Sequence, residues 1–135
     1  MTFAGINYSA VLIAAAAAWA AGAVWYMALA KPWTAAVGLT KEEIEASRRR
    51  PGGSLPFVYA LAANVIMAWV LAGLMGHLGS VTIRSGVISG AFCWLGFVIT
   101  TMLVNYSFGM RNRMLLLIDG VYWLVALALM GAIGV

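Results

Sequence analysis

The chain has 135 residues, of which 64% are hydrophobic and 9% charged, with a mean hydropathy of +0.98 and a formal net charge of +4. A soluble domain carries about 25% charged residues, and a globule of this size has no interior volume for so much apolar surface, so a soluble fold is excluded. Lipid is the remaining solvent, and crossing about 30 Å of hydrocarbon takes a helix of about 20 apolar residues.

Four segments qualify, at about Tyr8–Ala30, Leu55–His77, Ser85–Phe108 and Arg113–Val135. The runs are continuous and rich in Ala, Leu and Gly rather than alternating, which favours helices over a β-barrel. The expected fold is all-α: a four-helix transmembrane bundle in one domain, residues 1–135, with one short cytosolic helix in the first loop. In the first segment, Ala28-Leu29-Ala30 resembles a signal-peptide cleavage site. However, Met1–Ser9 carries no Lys or Arg and the apolar run exceeds an h-region, so a retained span is expected.

The first loop, Lys31–Ser54, contains Thr40-Lys41-Glu42-Glu43, a capping box in which Thr40 accepts from the Glu43 amide and Glu43 reaches back. Leu39 and Ile44 occupy the positions of a hydrophobic staple, acids fill the first turn and Arg48–Arg50 the last, and Pro51-Gly52-Gly53 terminates the run. A helix over about Lys41–Arg50 follows. Arg48, Arg49 and Arg50 are either a site for anionic headgroups or a solvated connector that enforces topology. The connector is favoured, because headgroup-binding clusters usually hold about four to eight basic residues.

On the second segment His77 stands alone, which rules out an intrachain zinc site or a haem held on both axial faces by histidine. The third carries Gly86-x-x-x-Gly90, with Ser89, Cys93 and Gly96 nearby. These small residues allow close helix approach, within the chain or in a homo-oligomer or larger membrane complex. A single cysteine leaves no intramolecular disulfide. Lys31, Lys41, Arg48, Arg49, Arg50, Arg111 and Arg113, seven of the eight basic residues, cluster in the first and third loops. The positive-inside rule places loops 31–54 and 109–112 in the cytoplasm and both termini outside.

The fourth segment contains Met114-Leu-Leu-Leu-Ile-Asp-Gly-Val-Tyr-Trp-Leu-Val125, with Asp119 in an otherwise apolar run. An acid at a helix centre costs roughly 3 kcal/mol to insert and marks a functional hypothesis. Asp119 lies six residues past Arg113, about 9 Å along the helix. Tyr26, Asn64 and Asn105 lie at comparable depth on the other three segments, and Tyr122 one turn beyond Asp119. This layer reads either as a solute or proton site with Asp119 titrating, or as interhelical glue, with glue slightly favoured. Trp19, Trp69, Trp94 and Trp123 fall mid-segment and read as core filler rather than as a stack on a hydrophobic ligand, whereas Trp25 and Trp33 take interface positions.

Trp25-Tyr26 followed by Lys31 and Trp33, and Ile118-Asp119-Gly120-Val121-Tyr122-Trp123 closing with Met130-Gly131-Ala132-Ile133, together resemble the uncharacterised bacterial membrane family called domain of unknown function 1761. The resemblance covers most of the chain and implies the same four-helix order in a bacterial inner membrane. It implies no activity, substrate or cofactor. Met27-Ala28 stands where that family commonly has Ser-Pro.

No nucleophile–base pair, phosphate loop or intramembrane carboxylate pair is present, so no enzyme, metal or cofactor is expected. The partners expected are the lipid bilayer and other membrane chains, not nucleic acid. The expectation is a small structural or accessory membrane component. A proton-coupled or small-solute carrier using Asp119, and a hydrophobic-cofactor or lipid-binding protein, are the alternatives.

Overall fold

The computed structural model describes residues 6–79 and 81–134, and all the regular structure within them is helical. Met1–Gly5 of the expected N-terminal tail and Val135 at the expected end of the fourth helix lie outside the described residues. The helices are α1 (Tyr8–Ala28), α2 (Ala30–Val37), α3 (Lys41–Arg49), α4 (Leu55–Leu78), α5 (Ile83–Cys93), α6 (Ile99–Phe108) and α7 (Arg113–Ile133). A π-helical turn, Trp94–Val98, joins α5 to α6, so the three together form one continuous third span. α1, α4, the third span and α7 are each long and apolar enough to cross a membrane, and the chain is a membrane protein of the all-α class.

Local chemistry sets each boundary. Asn7 caps α1, its side chain accepting from the Ala10 amide at 3.1 Å. α1 stops at Leu29 because Pro32 has no N–H to offer the Ala28 carbonyl. Proline is tolerated in a first turn, so the chain resumes at once as α2, a helix within the stretch expected as loop. α2 closes at Gly38, where φ is +83°. Thr40 then caps α3 by accepting from the Glu43 amide at 3.1 Å. The second half of the expected capping box is replaced: the Glu43 carboxylate accepts from the Thr40 hydroxyl at 3.1 Å. A capping box does form at Thr82 and Ser85, and it starts the third span at Ile83, two residues before the expected Ser85.

α7 is the organising element. It packs against α1, α4 and every part of the third span, and it is the most buried of the four spans. Ala14, Ala15 and Ala18 of α1 and Ala68 and Ala72 of α4 meet Tyr122, Ala126 and Met130 of α7, small surfaces that let backbones approach. The closest approach is between α5 and α7, where Gly86 faces the backbone of Gly131. A Cβ on Gly90 would stand 2.5 Å from the Leu127 carbonyl oxygen. Gly96, the third small residue expected to allow close helix approach within the chain or between chains, is not part of this seam: nothing in the chain lies within 4 Å of where its Cβ would be. Six residues on from Gly90, it points about 120° away around an α-helix. Outside, Leu12, Ile13, Val24, Ile66, Val70, Phe92 and Phe97 form an exposed apolar jacket.

α1 and the third span run antiparallel to α7 and α4 runs parallel to it, so the end of α1, α2, α3, the start of α4 and the 109–112 turn gather at one end. This basic end holds Lys31, Lys41, Arg48–Arg50, Arg111 and Arg113. A Gly90→Val substitution should destabilise the bundle by about 1–3 kcal/mol through overpacking. Gly96→Ala should be neutral or up to about 1 kcal/mol stabilising, from helix propensity alone. Thermal unfolding in detergent measures both.

Candidate functional site

Three consecutive residues of α7, Ile118-Asp119-Gly120, receive four hydrogen bonds from two other helices. The Tyr26 hydroxyl donates to Asp119 Oδ1 at 2.7 Å, and the Tyr106 hydroxyl donates to Asp119 Oδ2 at 2.7 Å. The Trp25 indole donates to the Ile118 carbonyl at 3.0 Å and the Trp94 indole to the Gly120 carbonyl at 2.8 Å. Each flanking element thus contributes one indole and one phenol. On α1 the pair is adjacent in sequence. On the third span it is twelve residues apart, and something must align it.

The π-turn does so. The Ile99 amide reaches back five residues to the Trp94 carbonyl, so one extra residue is accommodated in the turn. In an uninterrupted α-helix, Asn105 would fall about 20° from Trp94 and Tyr106 about 120° away. The inserted residue moves every later position back by about 100°, which brings Tyr106 into line with Trp94 and turns Asn105 outward. Asn105 is accordingly exposed, while Tyr106 is half-buried against Asp119. Tyr106 thus takes the place expected for Asn105, because depth along the span does not register this rotation. Two threonines make the wide turn tolerable in lipid: Thr100 donates to the Gly96 carbonyl at 3.0 Å and Thr101 to the Phe97 carbonyl at 2.6 Å.

The end of α6 is also shaped by local hydrogen bonds. The Arg111 amide donates to the Tyr106 carbonyl at 2.9 Å and the Met110 amide to the Ser107 carbonyl at 3.2 Å. That is a Schellman closure, with Met110 at φ +53° in the position usually held by glycine. It reverses the chain tightly enough for Tyr106 and Asp119 to meet across the turn. Gly120 lies at the same contact, where a Cβ would come within 2.8 Å of Ile99 Cδ1 and oblige that side chain to turn aside.

The remaining expected members form a second layer about one turn deeper. Tyr122 is buried and donates to the Ala18 carbonyl at 2.9 Å, above Gly22, whose Cβ would lie 2.9 Å from the phenol oxygen. Its ring contacts Tyr26 at 5.6 Å and Trp123 at 4.9 Å between centroids. Asn64 is fully buried beside the Tyr122 phenol, with its amide donating to the Ala60 carbonyl at 2.8 Å and its Oδ1 lacking a protein partner. The expected five-residue layer therefore separates: Tyr26 joins Asp119, Tyr122 and Asn64 sit below, Asn105 leaves, and Tyr106 enters. Trp25, expected as an interface belt residue, turns inward as a donor.

Residues 9–134 match the family described as Protein of unknown function (DUF1761). The chain belongs to that family. No curated protein and no solved structure matches it. The stretch that matches DUF1761 takes in all four donors and the Ile118–Gly120 acceptor run, so the constellation lies wholly within the family's extent. Elsewhere in this DUF1761 chain, Arg48, Arg49 and Arg50 are exposed, and the Arg48 guanidinium lies 5.5 Å from the Phe57 ring centroid, holding α3 over the start of α4. Among the described residues no three His, Cys, Asp or Glu side chains come together as a metal site would require.

Tyr106→Phe and Tyr26→Phe should each lower stability by about 0.5–2 kcal/mol, because each leaves one carboxylate oxygen unpaired. Asn105→Ala should change it by less than about 0.5 kcal/mol. Detergent unfolding of the three variants checks the rotation introduced by the π-turn: a larger loss for Asn105→Ala than for Tyr106→Phe would contradict it.

Proposed function

We propose that this protein is a non-enzymatic structural or accessory component of the bacterial inner membrane, in which Asp119 locks α1 and the third span onto α7. The reading is carried by one observation: both carboxylate oxygens are occupied by phenols from two other helices, at 2.7 Å each. Each Asp119 oxygen serves one helix contact, and the adjoining carbonyls of Ile118 and Gly120 accept from the same two elements. Intramembrane bonds of this kind contribute about 0.6 kcal/mol apiece on average, and four converging on one turn specify how three helices fit.

The gathering of seven basic residues at one end supports a cytoplasmic location for that end, with α3 in the cytosol and both termini outside.

A proton-coupled carrier is the second reading. It is favoured by a groove that reaches Tyr106, one hydrogen bond from Asp119. Asp119→Asn and Asp119→Leu separate the two. Asn retains one acceptor and should cost about 1–2 kcal/mol, whereas Leu strands both phenols and should cost about 3 kcal/mol or more. Proteoliposomes containing a pH-sensitive dye should leak protons no faster with wild-type protein than without it. A wild-type flux that a folded Asp119→Asn variant abolishes would replace the lock with the carrier.

A further inference from the structure

The groove beside Tyr106 lies between α6 and α7 at the basic end and has a volume of about 800 Å³, within the range of ligand sites. Leu103 of α6 faces Leu116, Leu117 and Val121 of α7 across it, and Arg111 and Arg113 stand at its mouth. Leu103 and Leu117 are each more than half exposed, so the groove is open sideways toward hydrocarbon rather than only toward water. Its described lining includes two arginines and no acid. The site is therefore cationic at the interface and apolar at acyl-chain depth.

We propose that this groove binds one anionic phospholipid, with the phosphate between Arg111 and Arg113 and an acyl chain along Leu103, Leu116, Leu117 and Val121. Charge complementarity selects the headgroup. Guanidinium groups pair bidentately with phosphate oxygens and are less strongly hydrated than lysine, which suits a half-desolvated interface. Arg111 and Arg113 are exposed like Arg48–Arg50, but they alone of these five line the groove together with its apolar wall. They are also well placed: the Schellman closure fixes the backbone of Arg111, and Arg113 is the first residue of α7 after the Asn112 cap. The Ser107 hydroxyl on the same lining adds a neutral donor. A zwitterionic headgroup would bring its own cation against the arginines and lose the advantage. The proposal does not depend on the Asp119 lock. It adds to it, because Tyr106 belongs to both and an occupied groove braces the third span against α7.

Native mass spectrometry of the full chain in detergent, with dioleoyl phosphatidylglycerol or dioleoyl phosphatidylcholine added at equal concentration, tests this. Wild-type protein should retain the anionic lipid about thirtyfold more, as two basic residues at a membrane surface imply at about 1 kcal/mol each. The Arg111→Gln/Arg113→Gln variant should fall to the phosphatidylcholine level. The Arg48→Gln/Arg49→Gln/Arg50→Gln variant should stay within about twofold of wild type. Leu117→Trp, which fills the groove and keeps both arginines, should also lose the adduct. Excess inorganic phosphate should not displace the lipid, because it offers no acyl chain. Equal retention of the two lipids by wild type overturns the proposal. So does an equal loss in the Arg48–Arg50 variant, full retention by Leu117→Trp, or displacement by inorganic phosphate. Should the Arg111→Gln/Arg113→Gln variant fail to fold, the wild-type lipid ratio and Leu117→Trp decide.

Discussion

Inside hydrocarbon a polar donor has no water to fall back on, and the bundle is arranged around that constraint. Trp25, Tyr26, Trp94 and Tyr106 bring four N–H and O–H groups into the membrane, and one turn of α7 accepts all of them. Asp119 supplies two acceptor oxygens where an ordinary apolar residue supplies none, and the Ile118 and Gly120 carbonyls supply the rest. The acid is costly to insert and each phenol is costly to leave unpaired, so the two costs offset only if the three helices meet in one relative position.

The irregular features of the chain follow from meeting that requirement. Gly120 has no side chain because Ile99 and Trp94 approach there. Gly22 leaves room for the Tyr122 ring, which carries its own hydroxyl to the Ala18 carbonyl one turn deeper. The π-turn lets Trp94 and Tyr106, twelve residues apart, share a face, and Thr100 and Thr101 cover carbonyls of the widened turn. Met110 accepts a left-handed backbone so that the chain can reverse between Tyr106 and α7 within a few residues. None of these would be selected by helix propensity, and each is explained by one polar contact or one close approach.

Much of the site is legible in the sequence. A lone acid in an apolar run drew attention to Asp119, and depth along α1 drew Tyr26 to it. The Gly86 and Gly90 spacing pointed to the seam with α7. Depth without azimuth misled at Asn105, because a single extra residue in a turn rotates everything beyond it. Trp25 was taken for an interface anchor since an indole near a span's end suits that role equally well, and only a partner carbonyl on another helix distinguishes the two.

Composition and run length by themselves determined the solvent, the number of spans and the all-α class, since those depend on transfer free energy and helical rise, which are local and additive. Cap chemistry determined where α3 starts, since Thr40 and Glu43 are three residues apart in any context. The tertiary structure alone decided which face of each span turns inward and that Tyr106 rather than Asn105 holds Asp119. Rotation about a helix axis leaves hydropathy and depth unchanged in a span that is apolar all round. It is settled only when donors on one helix find acceptors on another.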